Sequence, residues 1–211
     1  MSRVNSKARY ILQLLTLFRK KGLDLTMEEI AKGMKLTKKT LYNNFNSKEE
    51  LLKEVLTFVI SDLETQMDEA LGKGKDAIEA LCMTSKMLSM GLDKLGSKLI
   101  SDSAIYMPEL TMLDLRGGIN FNTRMITENL NRGIREGLYR EDINKDLAAI
   151  FFTASMSQLY FYNGSYMHFK EASKFHKELI RYHLEAVVND NGREILRKYL
   201  KNNYICDSNF K

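Results

Sequence analysis

The 211-residue sequence has a single proline, Pro108, and few clusters of β-branched residues. Apolar residues instead recur at three and four positions along nearly its whole length, so helix is expected almost throughout. Cysteine is equally scarce. Cys82 and Cys206 lie far apart and outside any metal-ligand spacing, which argues against a disulfide framework and predicts two free thiols. His168, His176 and His183 stand 8 and 7 positions apart. Neither spacing is the i, i+4 of a helical zinc pair, so no metal site is expected, and each histidine is placed at the surface or an interface. No G-x-S-x-G, P-loop or dinucleotide fingerprint is present, so the chain is not read as an enzyme and no cofactor is expected. No apolar run approaches the ~20 residues that span a bilayer. The opening MSRVNSKARY has no apolar stretch with a cleavage site behind it, so no signal peptide is expected and the location is taken as cytoplasmic, without a membrane partner.

What is present is an uneven charge distribution. Residues 1–55 carry 12 Lys and Arg against 6 Asp and Glu, whereas the remainder carries 20 against 21. All of the excess positive charge is therefore in the first quarter, which points to a polyanionic partner for that part.

The same quarter has dense helix punctuation. Ile11, Leu14, Leu15 and Phe18 form an i, i+3, i+4, i+7 stripe that Gly22 stops. Thr26 and Glu29 form a capping box for a short helix with Ile30, Ala31 and Met34 inward. A tight turn leads to Thr37–Phe45, and Ser47 with Glu50 forms a second capping box. It opens a long connecting helix, about 47–70, with Leu52, Val55, Leu56, Val59, Leu63 and Met67 on its apolar face. Gly72 and Gly74 break that pattern. Further helices are expected near 76–95, 98–106, 109–136, 143–164, 170–189 and 193–202, with Gly137 as a left-handed cap and Asp142 capping the helix after it. The fold class is all-α, about nine or ten helices.

At 100° per residue, Leu41 and Phe45 point to one side of the short segment, opposite Lys39 and Asn43. A short helix anchored on one face behind a tight turn has the geometry of a helix-turn-helix, whose second helix enters the major groove. Lys38 and Lys39 suit guanine or phosphate, Asn43 suits adenine, and Thr37 and Thr40 offer hydroxyls and methyls. Tyr42, Thr26 and Lys48 are placed to meet phosphates.

Phe18, Gly22, Thr26, Ile30–Ala31, Thr40–Leu41–Tyr42, Phe45 and Ser47–Lys48–Glu49–Glu50–Leu51 occur in an order and spacing that resemble the DNA-binding domain of the TetR family of bacterial regulators. RGIREGLYREDINKDLAAI further along is also similar to the family's passage into a late helix. Where the family usually has a glycine in the turn, this chain has Lys35, which must tolerate a positive-φ backbone and is a further candidate phosphate contact. Family glycine also gives way to Lys39, and a common aromatic or histidine to Asn44.

The resemblance implies a helix-turn-helix domain at 1–50 and a larger helical effector-binding and dimerisation domain at 51–211. It implies a homodimer through helices about 143–164 and 170–189, where Leu147, Ile150, Phe151, Ala154, Leu159, Tyr160 and Phe161 make the first apolar on more than one face. Phe175, Leu179, Ile180, Leu184 and Val187 mark the second. A small-molecule pocket is also implied, for which Met83, Met87, Met90, Tyr106, Phe121, Phe152, Tyr160 and Tyr162 are candidates. The expected function is sequence-specific DNA binding by a transcriptional repressor at a palindromic operator, released by an apolar or aromatic effector. The alternative is an architectural or division-linked DNA-binding protein on the same fold, controlled by a protein partner.

Overall fold

In the structure, a computed structural model, residues 3–95, 99, 102, 108–161 and 169–201 are described, with side-chain surroundings for 7–91, 99, 102, 122–156 and 176–201. Nine helices are present among the described residues. They are α1 (Arg3–Lys21), α2 (Met27–Gly33), α3 (Lys38–Tyr42), α4 (Lys48–Lys73), α5 (Ala77–Leu95), α6 (Pro108–Arg135), α7 (Lys145–Phe161), α8 (Phe169–Val187) and α9 (Asp190–Lys201). The described residues include no strand, and a single antiparallel bridge joins Tyr139 to Val188. The helix expected at 98–106 lies outside the described residues except for Leu99 and Asp102, as do Tyr106, Tyr162, His168 and Cys206.

The chain forms two compact units, one of residues 1–62 with 92–113 and one of 63–91 with 114–211. In the first, Leu14, Phe18, Leu23, Ile30, Leu41, Phe45, Leu51 and Val55 are buried together with the other inward positions of α1 to α4. The expected face of α4 holds: Leu52, Val55, Val59 and Met67 are buried, with Leu56 and Leu63 half-buried. A long-range hydrogen bond adds to this core. The Leu23 amide donates to the buried Asp102 carboxylate at 2.8 Å, across 79 positions of sequence.

The second unit has its core around Ile78, Leu81, Ile126, Leu130, Tyr139, Phe152, Ile180, Leu184 and Leu196. The turn after α6 ties it together. Gly137 takes φ 69°, the left-handed conformation anticipated for it, and reverses the chain. Tyr139 then folds back onto Gly133, where any Cβ would collide with the tyrosine ring. The buried Tyr139 hydroxyl donates to Asn129 Oδ1 at 3.0 Å, and Asn129 Nδ2 donates to the Ala77 carbonyl at 2.7 Å. The Arg140 amide donates to Val187 and the Asn189 amide to Leu138, which fixes α8 and α9 to the same turn. The spacing of RGIREGLY is thus a packing requirement.

Two helix starts differ from expectation because another polar side chain took the cap. Asn144, rather than Asp142, accepts from the Leu147 amide, while Asp142 lies 3.7 Å from Arg140. Asn189 accepts from Gly192 and starts α9 three residues earlier than its apolar pattern suggests. The Ser47 box is half formed: Ser47 Oγ accepts from the Glu50 amide, but the Glu50 carboxylate turns to the backbone and side chain of Asn46. Gly72 is accommodated inside α4, and only Gly74 lies beyond its end.

The histidines also differ. His176 is buried, with Nε2 3.4 Å from the Ser85 hydroxyl, and the enclosed His183 ring stacks at a tilt on Phe152, centroids 4.6 Å apart. The outward position expected for them fails because α8 turns their shared face into the core. Burial pushes both imidazoles down to about 4, His176 with a further push from Lys177. Between that value and 6.5 the unfolded chain binds more protons, so stability is complete above pH 6.5, falls as pH drops towards 4, and levels off below. Each histidine contributes up to about 3 kcal/mol to the loss. Urea midpoints of wild type and a His176→Gln/His183→Gln variant at pH 7.5 and pH 4.5 should show a smaller pH-dependent drop in the variant. Equal drops would contradict the buried, neutral assignment.

Candidate nucleic-acid interface

The geometry around α2 and α3 follows from local chemistry. Thr26 Oγ1 accepts from the Glu29 amide at 3.2 Å, and Glu29 Oε2 accepts from the Thr26 amide at 2.8 Å, completing the expected box. The Glu29 carboxyl is held below its usual range by the Thr26 amide first, then by the Thr26 hydroxyl, with Lys21 and Lys48 adding their charges. Lys21 is a candidate that sequence reading passed over, because the last turn of α1 accounts for a basic residue without any ligand.

The turn between α2 and α3 is a Schellman motif. The Leu36 amide reaches the Ala31 carbonyl at 2.9 Å and the Lys35 amide reaches Lys32 at 3.1 Å. That closure requires a left-handed residue, and Lys35 supplies it at φ 57°, as its place in the turn demanded. Its exposed side chain leaves the Cβ strain as the main penalty of a position usually given to glycine.

Thr37 caps α3, accepting from the Thr40 amide at 3.1 Å, and its hydroxyl lies 2.7 Å from that of Thr40. Regular helix covers only Lys38–Tyr42, and Asn43 caps its C-terminus. Beyond it, amides of Asn43, Asn44 and Phe45 still bond back to Lys39 and Leu41, so the chain keeps turning to Phe45. Leu41 and Phe45 are buried, whereas Thr37, Lys38, Lys39, Tyr42 and Asn43 are exposed and Thr40 is half-buried. Thr26 and Lys35 are exposed, and Lys48 is half-buried at the start of α4. The result is a small surface of ammonium, amide and hydroxyl donors, suited to phosphate oxygens and the edges of bases.

Of the residues considered for a pocket, Met83 and Met87 are half-buried on α5, Met90 is exposed, and Phe152 is buried on α7. The side chains of Phe121 and Tyr160 lie outside the described surroundings.

The model of bacterial regulatory proteins, tetR family, matches residues 14–55, which contain this surface. The transcriptional repressor KstR2 of Rhodococcus jostii (strain RHA1) is 30% identical over 147 residues, 64% of this chain and 69% of that protein. A transcriptional regulator from Cytophaga hutchinsonii shares the fold at 21% identity, with a TM-score of 0.71 over 86% of this chain and 98% of the other. The ketosteroid transcriptional regulator KstR2 of Mycobacterium tuberculosis shares it at 20% identity, with a TM-score of 0.52 over 88% and 96%.

Replacing Lys35 by glycine should remove the strain of a left-handed Cβ. A gain of about 0.5–1 kcal/mol in urea unfolding is expected after the added backbone entropy of glycine. An unchanged or lower midpoint would show that the lysine is not strained there.

Proposed function

Because the chain belongs to the TetR family of bacterial regulatory proteins, we propose that it is a repressor that reads a palindromic operator as a homodimer and leaves it when a small apolar effector binds. The observation that carries this reading is α3 itself. It has one face buried at Leu41 and Phe45, and Lys38, Lys39, Tyr42 and Asn43 are left to solvent on the other. In the proposed docking, α3 enters the major groove with Asn43 and Lys39 at base edges. Thr37, Lys38, Tyr42, Lys48 and Thr26 hold phosphates beside it.

A homodimer is supported by α7. Leu147, Ile150 and Phe151 are 63%, 56% and 71% exposed, and Ala154 continues the same i, i+3, i+4, i+7 stripe. Tyr182 on α8 is also exposed, whereas Ile180, Leu184 and Val187 belong to the core of their own chain. A stripe of large apolar groups left in water is the kind of surface that a second copy covers. The effector is proposed to be apolar with few polar atoms, chemistry that Met83, Met87 and Phe152 would accommodate. The name of the Mycobacterium tuberculosis relative, a ketosteroid regulator, fits that class. An effector that favours the dimer state unable to span two successive grooves must weaken DNA binding by the factor by which DNA weakens its own binding.

Two substitutions separate the proposed roles on DNA. Lys48→Ala should weaken binding to every duplex and flatten its salt dependence by about one contact. Asn43→Ala should change base preference at particular positions, and uniformly weaker binding with unchanged preference would contradict its assignment. Phe151→Asp should give a folded monomer by analytical ultracentrifugation. A variant that stays dimeric would place the interface elsewhere.

A further inference from the structure

The helix-turn-helix contains an acidic side chain where the reading of α3 as a DNA-contacting helix, on which this inference rests, would want none. Glu28 is the second residue of α2, and its Oε2 lies 3.4 Å from Nζ of Lys38, the first residue of α3. Both side chains are well exposed, at 78% and 59%. The capping contact with Thr26 is made by Glu29, so Glu28 serves α2 only through its charge in the first turn. The core does not involve Glu28, because α2 meets it through Met27, Ile30 and Ala31.

We infer that Glu28 is a specificity-determining residue that restrains sequence-independent binding by competing with DNA phosphate for Lys38. An exposed ion pair holds loosely, so Lys38 is free to exchange its carboxylate for a phosphate. Either outcome subtracts from phosphate affinity. If the pair persists, Lys38 arrives already neutralised and releases fewer counterions from the duplex. If it opens, an uncompensated carboxylate remains within a few ångströms of Lys38 and the phosphate it holds, well inside the ~10 Å Debye length of a 0.1 M solution. The term that is reduced is the one shared by all sequences, so a larger share of the total is left to contacts with bases. A basic reading head thereby avoids being held by arbitrary DNA.

The test is the affinity of full-length wild type, Glu28→Gln, Lys38→Ala and the double variant for a short duplex of arbitrary sequence, measured from ~50 to ~200 mM salt. Glu28→Gln should bind more tightly than wild type and steepen the salt dependence by about one contact, so that its advantage shrinks roughly threefold across that range. In the Lys38→Ala background the same change should bring a smaller gain. A structural role would move the result in the opposite direction. Glu28 sits at the positive end of α2, so losing its charge should slightly lower stability while it raises affinity. Glu28→Gln with unchanged or weaker binding, when wild type does bind, overturns this inference alone. A wild type that binds no duplex even at low salt overturns the reading of α3, and the inference with it.

Discussion

A helix of five residues cannot hold itself together in water, because nucleation costs more than its few hydrogen bonds return. α3 exists because Leu41 and Phe45 are buried against the helices around it, each worth roughly 1.5–3 kcal/mol of transfer from water. Everything proposed for the surface depends on that anchoring. The side facing the core fixes position and angle, so the other side carries no packing duty. It can consist wholly of lysine, asparagine, threonine and tyrosine. Thr37 and the Schellman turn at Lys35 fix the direction in which α3 leaves α2, and Asp102 adds a polar tie to the loop at Leu23.

The second unit uses a different constraint. One turn, 133–140, holds α6, α8 and α9 through a tyrosine packed on a glycine and an antiparallel bridge. α7 lies on this core by Ala149, Phe152 and Met156 and leaves Leu147, Ile150 and Phe151 outside. The apolar residues of α7 therefore divide between a face packed on this core and a stripe left in water.

Much of this was legible in the sequence because it depends on near neighbours. Helix periodicity, the Thr26 box, the left-handed Gly137 and the positive φ of Lys35 all follow from residues a few positions apart. That α7 carries apolar residues on more than one face was also legible. What was not legible depends on distant residues or on competition among equivalent polar groups. Nothing near Leu23 signals that Asp102 will accept its amide. Asn144 and Asp142 are both good caps, and nothing in the adjacent residues selects between them. The burial of His176 and the partial enclosure of His183 were hidden because their i, i+7 spacing suits an outward face as well as an inward one. Glu28 and Lys38 are ten positions apart on different helices, a proximity that only the turn creates.

The central claim is that α3 reads base sequence as one of a pair. The most direct test is to let purified protein select duplexes from a randomised pool at near-physiological salt and to sequence what is retained. The account predicts enrichment of an inverted repeat whose half-sites lie about one helical turn apart. No enriched sequence, with binding that disappears as salt is added, would contradict it and leave only charge attraction between a basic surface and DNA.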